Sequence, residues 1–444
     1  MKIVIIGGVA AGMSAAAKAK RMMRDAEVVV YERTDVVSFG ACGLPYFVGD
    51  FFSDPNEMVA RTAEKFRETG INVRDKHEVL SVDTKAKTLR VRSLETNEEF
   101  EDTYERLMIA TGASAVIPPI ENVRLQNVFT LKSMEDGLQL KEAAMKEEMK
   151  DVIVIGAGYI GIEVVEAMKK LGKEVRLVQL GDRVLPDSFD HEVTDIMEAE
   201  LREHGVHLHL QEAVKAFKGT EKVEEVVTDK GTYKADIVVI ATGVRPNTSF
   251  LQESGIEMLR NGAIKIDEYG KTSLTDIYAA GDCASVYHLV RDEHVYIPLA
   301  TTANKIGRIV GENLAGATNT FPGTLGSACV KVMDVEAGRT GISEEEAKKL
   351  ELNYRTTVIR DKNQTSYYPG QEDILVKLVY DAETKVIFGG QIVGKQGAVL
   401  RVDVLAAAIA KKMTTEELGM LDLCYAPPFA RTWDVLNVAG NVSK

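Results

Sequence analysis

Cysteine is scarce in this chain: four residues in 444, with no CxxC pair. That number and scatter exclude a disulfide framework and suit a reducing, cytoplasmic setting. Long apolar runs are also missing. No stretch approaches the ~18 consecutive apolar residues of a membrane span. Basic charge is in deficit, with 54 Lys and Arg against 67 Asp and Glu and a formal net charge of −13. Such a field repels polyanions, and no local patch of nucleic-acid-binding character offsets it. With 45% hydrophobic and 27% charged residues the composition is that of a globular chain, long enough for about three domains. The N-terminus resembles an export signal only superficially. Gly7, Gly8 and Gly12 break its apolar run, and Lys18, Lys20, Arg21 and Arg24 stand where cleavage would fall.

What is present is an internal repeat. IVIIGGVAAG (3–12) and VIVIGAGYIG (152–161) are each a β-branched run ending in glycines, and IATG recurs at 109–112 and 240–243. A buried parallel strand, a glycine turn and a helix N-terminus form a pyrophosphate cradle, so the chain is expected to hold two dinucleotide-binding domains. Gly156, Gly158 and Gly161 complete the GxGxxG fingerprint, whereas Val9 replaces the middle glycine between Gly7 and Gly12. About twenty residues on, the first unit has Glu32, a ribose-binding carboxylate. The second has Gln179 and Leu180 there, followed by Asp182 and Arg183. Without a carboxylate to repel it, and with Arg183 as a candidate partner, a 2′-phosphate is admissible, so NADPH and NADH both remain open.

Tyr278-Ala279-Ala280-Gly281-Asp282-Cys283 resembles the second FAD signature of two-dinucleotide flavoproteins. End to end, the chain resembles the pyridine nucleotide–disulfide oxidoreductases. The resemblance implies an α/β fold with two Rossmann-like domains and a C-terminal α+β dimerisation domain. The split FAD domain would cover 1–117 and 245–320, the NAD(P)H domain 118–244 and the dimerisation domain 325–444. It assigns FAD to Gly7, Gly8, Ala10, Ala11, Gly12, Glu32, Arg33, Ser38, Cys42, Val79, Ala110, Thr111, Gly112, Gly281, Asp282 and Ala300. It assigns NAD(P)H to Gly156, Gly158, Tyr159, Ile160, Gly161, Glu163, Gln179, Arg183 and Gly243.

The stretch from Ser38 to Tyr46 carries one cysteine, Cys42, and Phe47 stands where a second would complete CxxxxC. A lone thiol must cycle through a sulfenic acid or a mixed disulfide. SFxxCGLPY resembles the single-cysteine branch: coenzyme A–disulfide reductases, NADH oxidases and peroxidases, and persulfide or polysulfide reductases. Ala10 replaces the histidine of peroxide-reducing members. Tyr425-Ala426-Pro427-Pro428 and Tyr367-Tyr368-Pro369-Gly370 resemble interface tyrosine segments of the coenzyme A–disulfide reductases. These features place coenzyme A–disulfide reduction first. Persulfide or polysulfide reduction comes second, no sulfurtransferase-like segment being present, and water-forming oxidation third. A flavin switch that binds a partner without catalysis would not need Cys42.

The implied chemistry is attack by the Cys42 thiolate on a disulfide, with Tyr425, and then Tyr367, donating a proton across a homodimer. Cys42 is expected to open a helix and to have a lowered pKa. The phosphates of coenzyme A need cations. Lys18, Lys20, Arg21 and Arg24 on the first helix offer some, Lys18, Arg21 and Met22 sharing a face, and the resemblance adds Ser38, Phe39, Arg61, Asn304 and Arg308, with Lys305 a further candidate. Cys283, Cys329 and Cys424 read as packed. His204, His207 and His209 invite a metal reading, but residues 205–211 read as a strand with His207 and His209 on one face and no supporting carboxylate, so no metal site is expected. Residues 344–349 read as a solvated helix face with Ser343 as N-cap, and 398–412 as an amphipathic helix.

Overall fold

The computed structural model describes residues 1–443. Its first unit is an all-parallel sheet in the spatial order Ile277–Ala279, Arg106–Ile109, Lys2–Ile6, Glu27–Tyr31 and Ile71–Arg74. Ile3, Val4, Ile5, Val29 and Val30 are fully buried, as a parallel sheet covered on both faces requires. Helix α1 (Ala10–Met22) follows the first strand. A short α2 (Leu44–Val48) and α3 (Ala63–Arg67) lie between the second and third strands. An antiparallel sheet of His77–Asp83, Thr88–Ser93 and Glu99–Thr103 is inserted before Arg106–Ile109.

The second unit repeats the plan, in the order His207–His209, Glu174–Val178, Asp151–Ile155, Ile237–Ile240 and Val128–Phe129, again all parallel. Its helices are α4 (Met134–Ala144), α5 (Tyr159–Lys170) and α6 (His191–Glu203). The chain crosses between the units through the antiparallel pair Ala113–Ala115 and Val244–Pro246. It then returns to the first unit, where α7 (Ala300–Leu314) lies on α1. A Cβ at Gly307 would stand 2.5 Å from Ala11 O, and one at Gly311 2.5 Å from Ala15 O, so these two glycines allow the helices to touch backbone to backbone.

The C-terminal unit is an antiparallel sheet in the order Ala328–Val332, Val335–Gly341, Ile387–Gly394, Asp373–Asp381 and Tyr354–Lys362. It carries α8 (Glu344–Lys349) and α9 (Ala398–Ala410). As the periodicity of 398–412 indicated, Val402, Leu405 and Ile409 of α9 are buried. Among the described residues no helix is long and apolar enough to cross a membrane.

Helix α8 departs from the sequence expectation. Ser343 does cap it, in a capping box with Glu346, and Lys348 and Lys349 are exposed as expected, but its acidic residues are half-buried along a seam against the second unit. Arg183 pairs with Glu345, and Arg339 Nη2 donates to Glu346 at 2.7 Å. The fully buried Lys377 ammonium sits among Glu344 (2.6 Å), Glu192 (2.8 Å) and Asp190 (3.3 Å). Asp190 in turn accepts from Gln391 Nε2 at 2.6 Å and from the Glu344 N–H at 3.0 Å. A hydrophilic run at a domain seam has the same composition as one in water, because only tertiary packing supplies the partner cations. Truncating Lys377 leaves three carboxylates facing one another. We expect Lys377→Met to lose about 3–5 kcal/mol of stability at neutral pH, and less near pH 4.5, where carboxylates protonate. Thermal unfolding at the two pH values measures this, and an unchanged midpoint at pH 7 refutes it.

Candidate functional site

The two glycine loops have the same geometry. Gly7 and Gly156 are left-handed, with φ of 104° and 99°. A Cβ at Gly12 would lie 1.9 Å from Gly7 O, and one at Gly161 2.0 Å from Gly156 O, so each helix starts against the strand that feeds it. Neither α1 nor α5 has a side-chain cap, leaving N–H groups of the first turn for a ligand. A Cβ at Gly158 would meet nothing within 4 Å, so the cradle is open on the side from which a pyrophosphate approaches. These features fit two bound dinucleotides.

The residues assigned to FAD converge at the C-terminal ends of the first sheet's strands. The Glu32 carboxylate, buried after the second strand, accepts from the Gly8 N–H at 2.7 Å and from Thr34 N and Oγ1 at 2.9 Å. Ala110, Thr111 and Gly112 follow the strand Arg106–Ile109 on the other side of Lys2–Ile6, and Gly281 and Asp282 follow the outermost one. Ala300 opens α7. Val79 is buried on the inserted sheet, whose His77 N–H bonds to Glu32 O at 2.8 Å. Arg33 is exposed.

At the second loop Gln179 takes the structural place of Glu32. Its Oε1 accepts from the Ala157 N–H at 3.1 Å, as Glu32 accepts from Gly8. The swap removes one negative charge and keeps the hydrogen bond. Arg183 does not fulfil the expected role. Its guanidinium is buried and occupied by Asp182 (3.2 Å), Pro186 O (3.1 Å) and Glu345, so it is not free for a phosphate. Tyr159, Ile160, Gly161 and Glu163 lie on the first turns of α5, and Gly243 (φ 109°) is open at the crossing.

Cys42 occupies a single 3-10 turn, Ala41–Gly43, that leads into α2 and does not itself start an α-helix. Its segment is tied to the first loop through Ser38 (φ 51°), whose N–H donates to Gly8 O at 2.9 Å. The residue reaches solvent, yet neighbouring atoms crowd its sulfur. Burial first, and Glu163 second, push the thiol above its ordinary pKa, with Lys132 opposing. The expected lowering is thus reversed, by burial foremost and then by the carboxyl of α5. Lys132 also pairs with Asp282 at 2.9 Å. Glu163 is itself pushed up to about 7 by burial and by Glu166. The sequence reading assigned Glu163 to the nucleotide and gave no sign that it faces the cysteine. Only the docking of the two domains places it there.

The cation candidates separate in the structure. Lys18 pairs with Glu312 at 2.9 Å, so it does not offer the free charge expected of it, and Lys20 is held by the carbonyls of Arg24 and Ala26 at 2.8 Å. Arg21, Met22, Lys305 and Arg308 are exposed on the outer faces of α1 and α7, where Asn304 accepts from Ser14 at 3.0 Å. Arg61 lies 4.8 Å from the Phe66 ring, and Phe39 bridges to Val59. Tyr367 and Tyr425 meet hydroxyl to hydroxyl at 3.0 Å, both exposed, with Phe429 and Trp433 also exposed on this domain. That hydrogen bond raises the Tyr367 phenol above its ordinary range.

Cys283 is buried as expected, but Cys329 and Cys424 are exposed. Val330 and Val332 take the inward face of their strand, which turns Cys329 outward. The histidines also differ from expectation. His207 and His209 do lie in a strand, yet His209 meets the buried Glu212 at 3.1 Å. His204 stands with Glu200 and Asp334, their ligand atoms within 4.8 Å of one another.

Two measurements test this geometry. Gln179→Glu restores a carboxylate against a 2′-phosphate and should raise KM for NADPH by about tenfold or more while changing that for NADH little. Equal effects on both would show that Gln179 does not face the ribose. Because the folded-state pKa of Glu163 is raised, the protein takes up a proton on folding, and the associated stability is lost as pH rises from about 4.5 through about 7. Glu163→Gln should therefore gain on the parent protein between pH 5 and 8, by roughly 2–3 kcal/mol at most. A difference independent of pH refutes the assignment.

Comparison with known proteins supplies the family. Residues 1–307 match the pyridine nucleotide-disulphide oxidoreductase model, and residues 327–435 match the dimerisation domain of the same group. An NAD(P)H coenzyme A polysulfide/persulfide reductase of Pyrococcus horikoshii is 43% identical over 444 residues, covering 100% of this chain and 98% of the relative. The coenzyme A disulfide reductase of Staphylococcus aureus is 30% identical over 451 residues, covering 100% of both. The solved structure of an NAD-dependent persulfide reductase from A. fulgidus superposes with a TM-score of 0.96 at 36% identity, covering 100% of this chain and 83% of that one. The chain belongs to the pyridine nucleotide-disulphide oxidoreductases and is an NAD(P)H-dependent flavoprotein oxidoreductase with a C-terminal dimerisation domain.

Proposed function

We propose that the protein is a coenzyme A-dependent persulfide or polysulfide reductase. The sequence reading ranked disulfide reduction first. The order is reversed because the persulfide/polysulfide relative is 43% identical and the disulfide reductase 30%. The observation that carries the reading is the single thiol Cys42, set between the two nucleotide units beside Glu163, Lys132 and Asp282, with Phe47 in place of a second cysteine. FAD, when bound, passes two electrons from the nicotinamide to sulfur. The Cys42 thiolate attacks the coenzyme A-bearing sulfur of a persulfide. The S–S bond breaks, hydrosulfide leaves, and a Cys42–S–S–CoA disulfide remains. Two electrons then cleave that disulfide and return the Cys42 thiolate and a coenzyme A thiolate, which takes up a proton. In a homodimer formed through the C-terminal domain, the hydroxyl pair of Tyr425 and Tyr367 donates that proton across the interface. Arg21, Lys305 and Arg308 hold the phosphates of coenzyme A, with Ser38, Phe39, Arg61 and Asn304 lining the approach.

Steady-state NADPH and NADH oxidation with coenzyme A persulfide, coenzyme A disulfide and dioxygen tests the assignment. The persulfide should give the highest kcat/KM, and Cys42→Ser should lower it by about a thousandfold. A kcat/KM for the disulfide exceeding that for the persulfide restores the other order. Full turnover in Cys42→Ser ends the reading altogether. Intact mass of the isolated protein, with and without reductant, should show a coenzyme A adduct that Cys42→Ser lacks. An added oxygen on Cys42 would instead favour oxidase chemistry.

A further inference from the structure

The turn that follows α2 is built around two ammonium groups from the nucleotide unit. Lys141, on α4, donates to Phe47 O at 2.8 Å, to the Asp50 carboxylate at 2.8 Å and to Phe52 O at 3.2 Å. Lys170, the last residue of α5, donates to Gly49 O at 3.0 Å and Asp50 O at 2.6 Å. Each ammonium also lies over a ring of the segment, Lys141 4.3 Å from the Phe47 centroid and Lys170 4.0 Å from that of Phe51. An ammonium has three protons to donate, and Lys141 uses them on three acceptors of one turn.

This arrangement exceeds what a surface turn needs. The last carbonyls of any helix lack intrahelical partners, and a five-residue helix such as α2 does not hold itself together. Asp50 is a non-glycine residue in the left-handed region, at φ 55°, a conformation that must be held by its surroundings. The other end of the same stretch is anchored on the first unit, where the Ser38 N–H donates to Gly8 O at 2.9 Å and the Gly40 N–H to Met58 O at 2.8 Å. Cys42 therefore sits on a strap fastened to a different domain at each end. Helix α5 begins at the open glycine loop and ends at Lys170, roughly 18 Å away at 1.5 Å per residue. One rigid element thus joins the nucleotide cradle to the strap.

We propose that Lys141 and Lys170 are positioning residues for Cys42: from the nucleotide unit they hold the far end of its segment and so set the thiol's place relative to α5. The inference rests on Cys42 being the redox centre. Its test, however, needs no sulfur substrate. FAD-loaded, NADPH-reduced protein is treated with iodoacetamide, and alkylation of Cys42, Cys329 and Cys424 is followed by peptide mass, the last two exposed thiols serving as internal references. Lys141→Met and Lys170→Met should each change the Cys42 rate relative to Cys424 by about fivefold or more. They should lower kcat with KM for NADPH unchanged, and Lys141→Arg should recover most of the wild-type ratio. A ratio within about twofold of wild type, whatever the melting temperature does, means the lysines only stabilise the fold and overturns the proposal.

Should the lysine variants fail to fold, Gly49→Ala opens the same contact without touching either lysine. Gly49 has φ −73°, which any residue adopts, but its Cβ would stand 2.9 Å from Ala167 Cα of α5. It should shift the alkylation ratio in the same way, and an unchanged ratio there also overturns the proposal. Full persulfide turnover in Cys42→Ser would defeat the functional reading and leave this ratio standing as a separate result.

Discussion

Two carbonyl oxygens, those of Gly7 and Gly156, lie so close to the helices that follow them that no side chain fits at Gly12 or Gly161. That contact fixes the angle at which α1 and α5 leave their sheets, and the rest of the site follows from the angle. It aims the uncapped first turns at the ends of the strands. It leaves room for the second strand's terminal residue to reach back to the loop, as Glu32 does to Gly8 and Gln179 to Ala157. In the first unit it also holds Gly8 where its carbonyl accepts from Ser38, so the segment bearing Cys42 is referenced to the same loop. Phosphate cradle, ribose partner and thiol share one origin.

The second constraint is how the three units are held together. One apolar cluster crosses all three units, from Leu44 and Phe47 through Val164 and Met168 to Val330 and Val332, and ion pairs stand beside it at the seams: Lys377 among Asp190, Glu192 and Glu344, Arg183 on Glu345, and Lys132 on Asp282. A buried ion pair contributes little net stability over an apolar contact, but it tolerates misplacement badly, because removing or displacing one partner strands the other charge. Ion pairs added to an apolar seam thus suit a protein in which electrons must pass between groups bound by different domains. They define the relative placement of those domains more sharply than interchangeable aliphatic contacts would.

The repeats were legible in the sequence because strand burial and glycine geometry are local: a β-branched run and a Gly at a tight approach look the same wherever they occur. The α9 periodicity and the Ser343 cap were legible for the same reason. What the sequence did not disclose depends on partners far along the chain. Glu344 and Glu345 read as solvated because their partners Lys377 and Arg183 are 33 and 162 residues away. Arg183 read as free for a phosphate because Glu345 is 162 residues away. Cys42 was expected at a lowered pKa from its local turn, and burial between the domains, with Glu163 of another domain second, reverses the direction. Cys329 was placed in the core by composition, whereas strand alternation decides its face, and Val330 and Val332 take the inside. The ranking of disulfide against persulfide has a different basis. The same thiol, tyrosines and cations serve both substrates, and no residue type discriminates them.

The net charge of −13 also misleads if it is taken to describe the site. At physiological ionic strength charges screen within about 8 Å, so an anionic ligand near the surface responds to the nearest groups and not to the sum. Those groups are sorted by which cations are already paired. Glu312 neutralises Lys18, and carbonyls at the end of α1 hold Lys20. Arg21 and Lys305 stay exposed beside them, and the exposed Arg308 is 3.6 Å from that same Glu312. Around the thiol the sorting is finer. Glu163, with its pKa near 7, carries little charge in mildly acidic solution and gains it as pH rises. The field at Cys42 is then the Lys132–Asp282 pair alone at low pH, and that pair plus a carboxylate above neutrality. A carboxylate there opposes a thiolate. Removal of the proton from Cys42 and charging of Glu163 therefore oppose each other, and the charged carboxylate holds the thiol higher than the neutral carboxyl does.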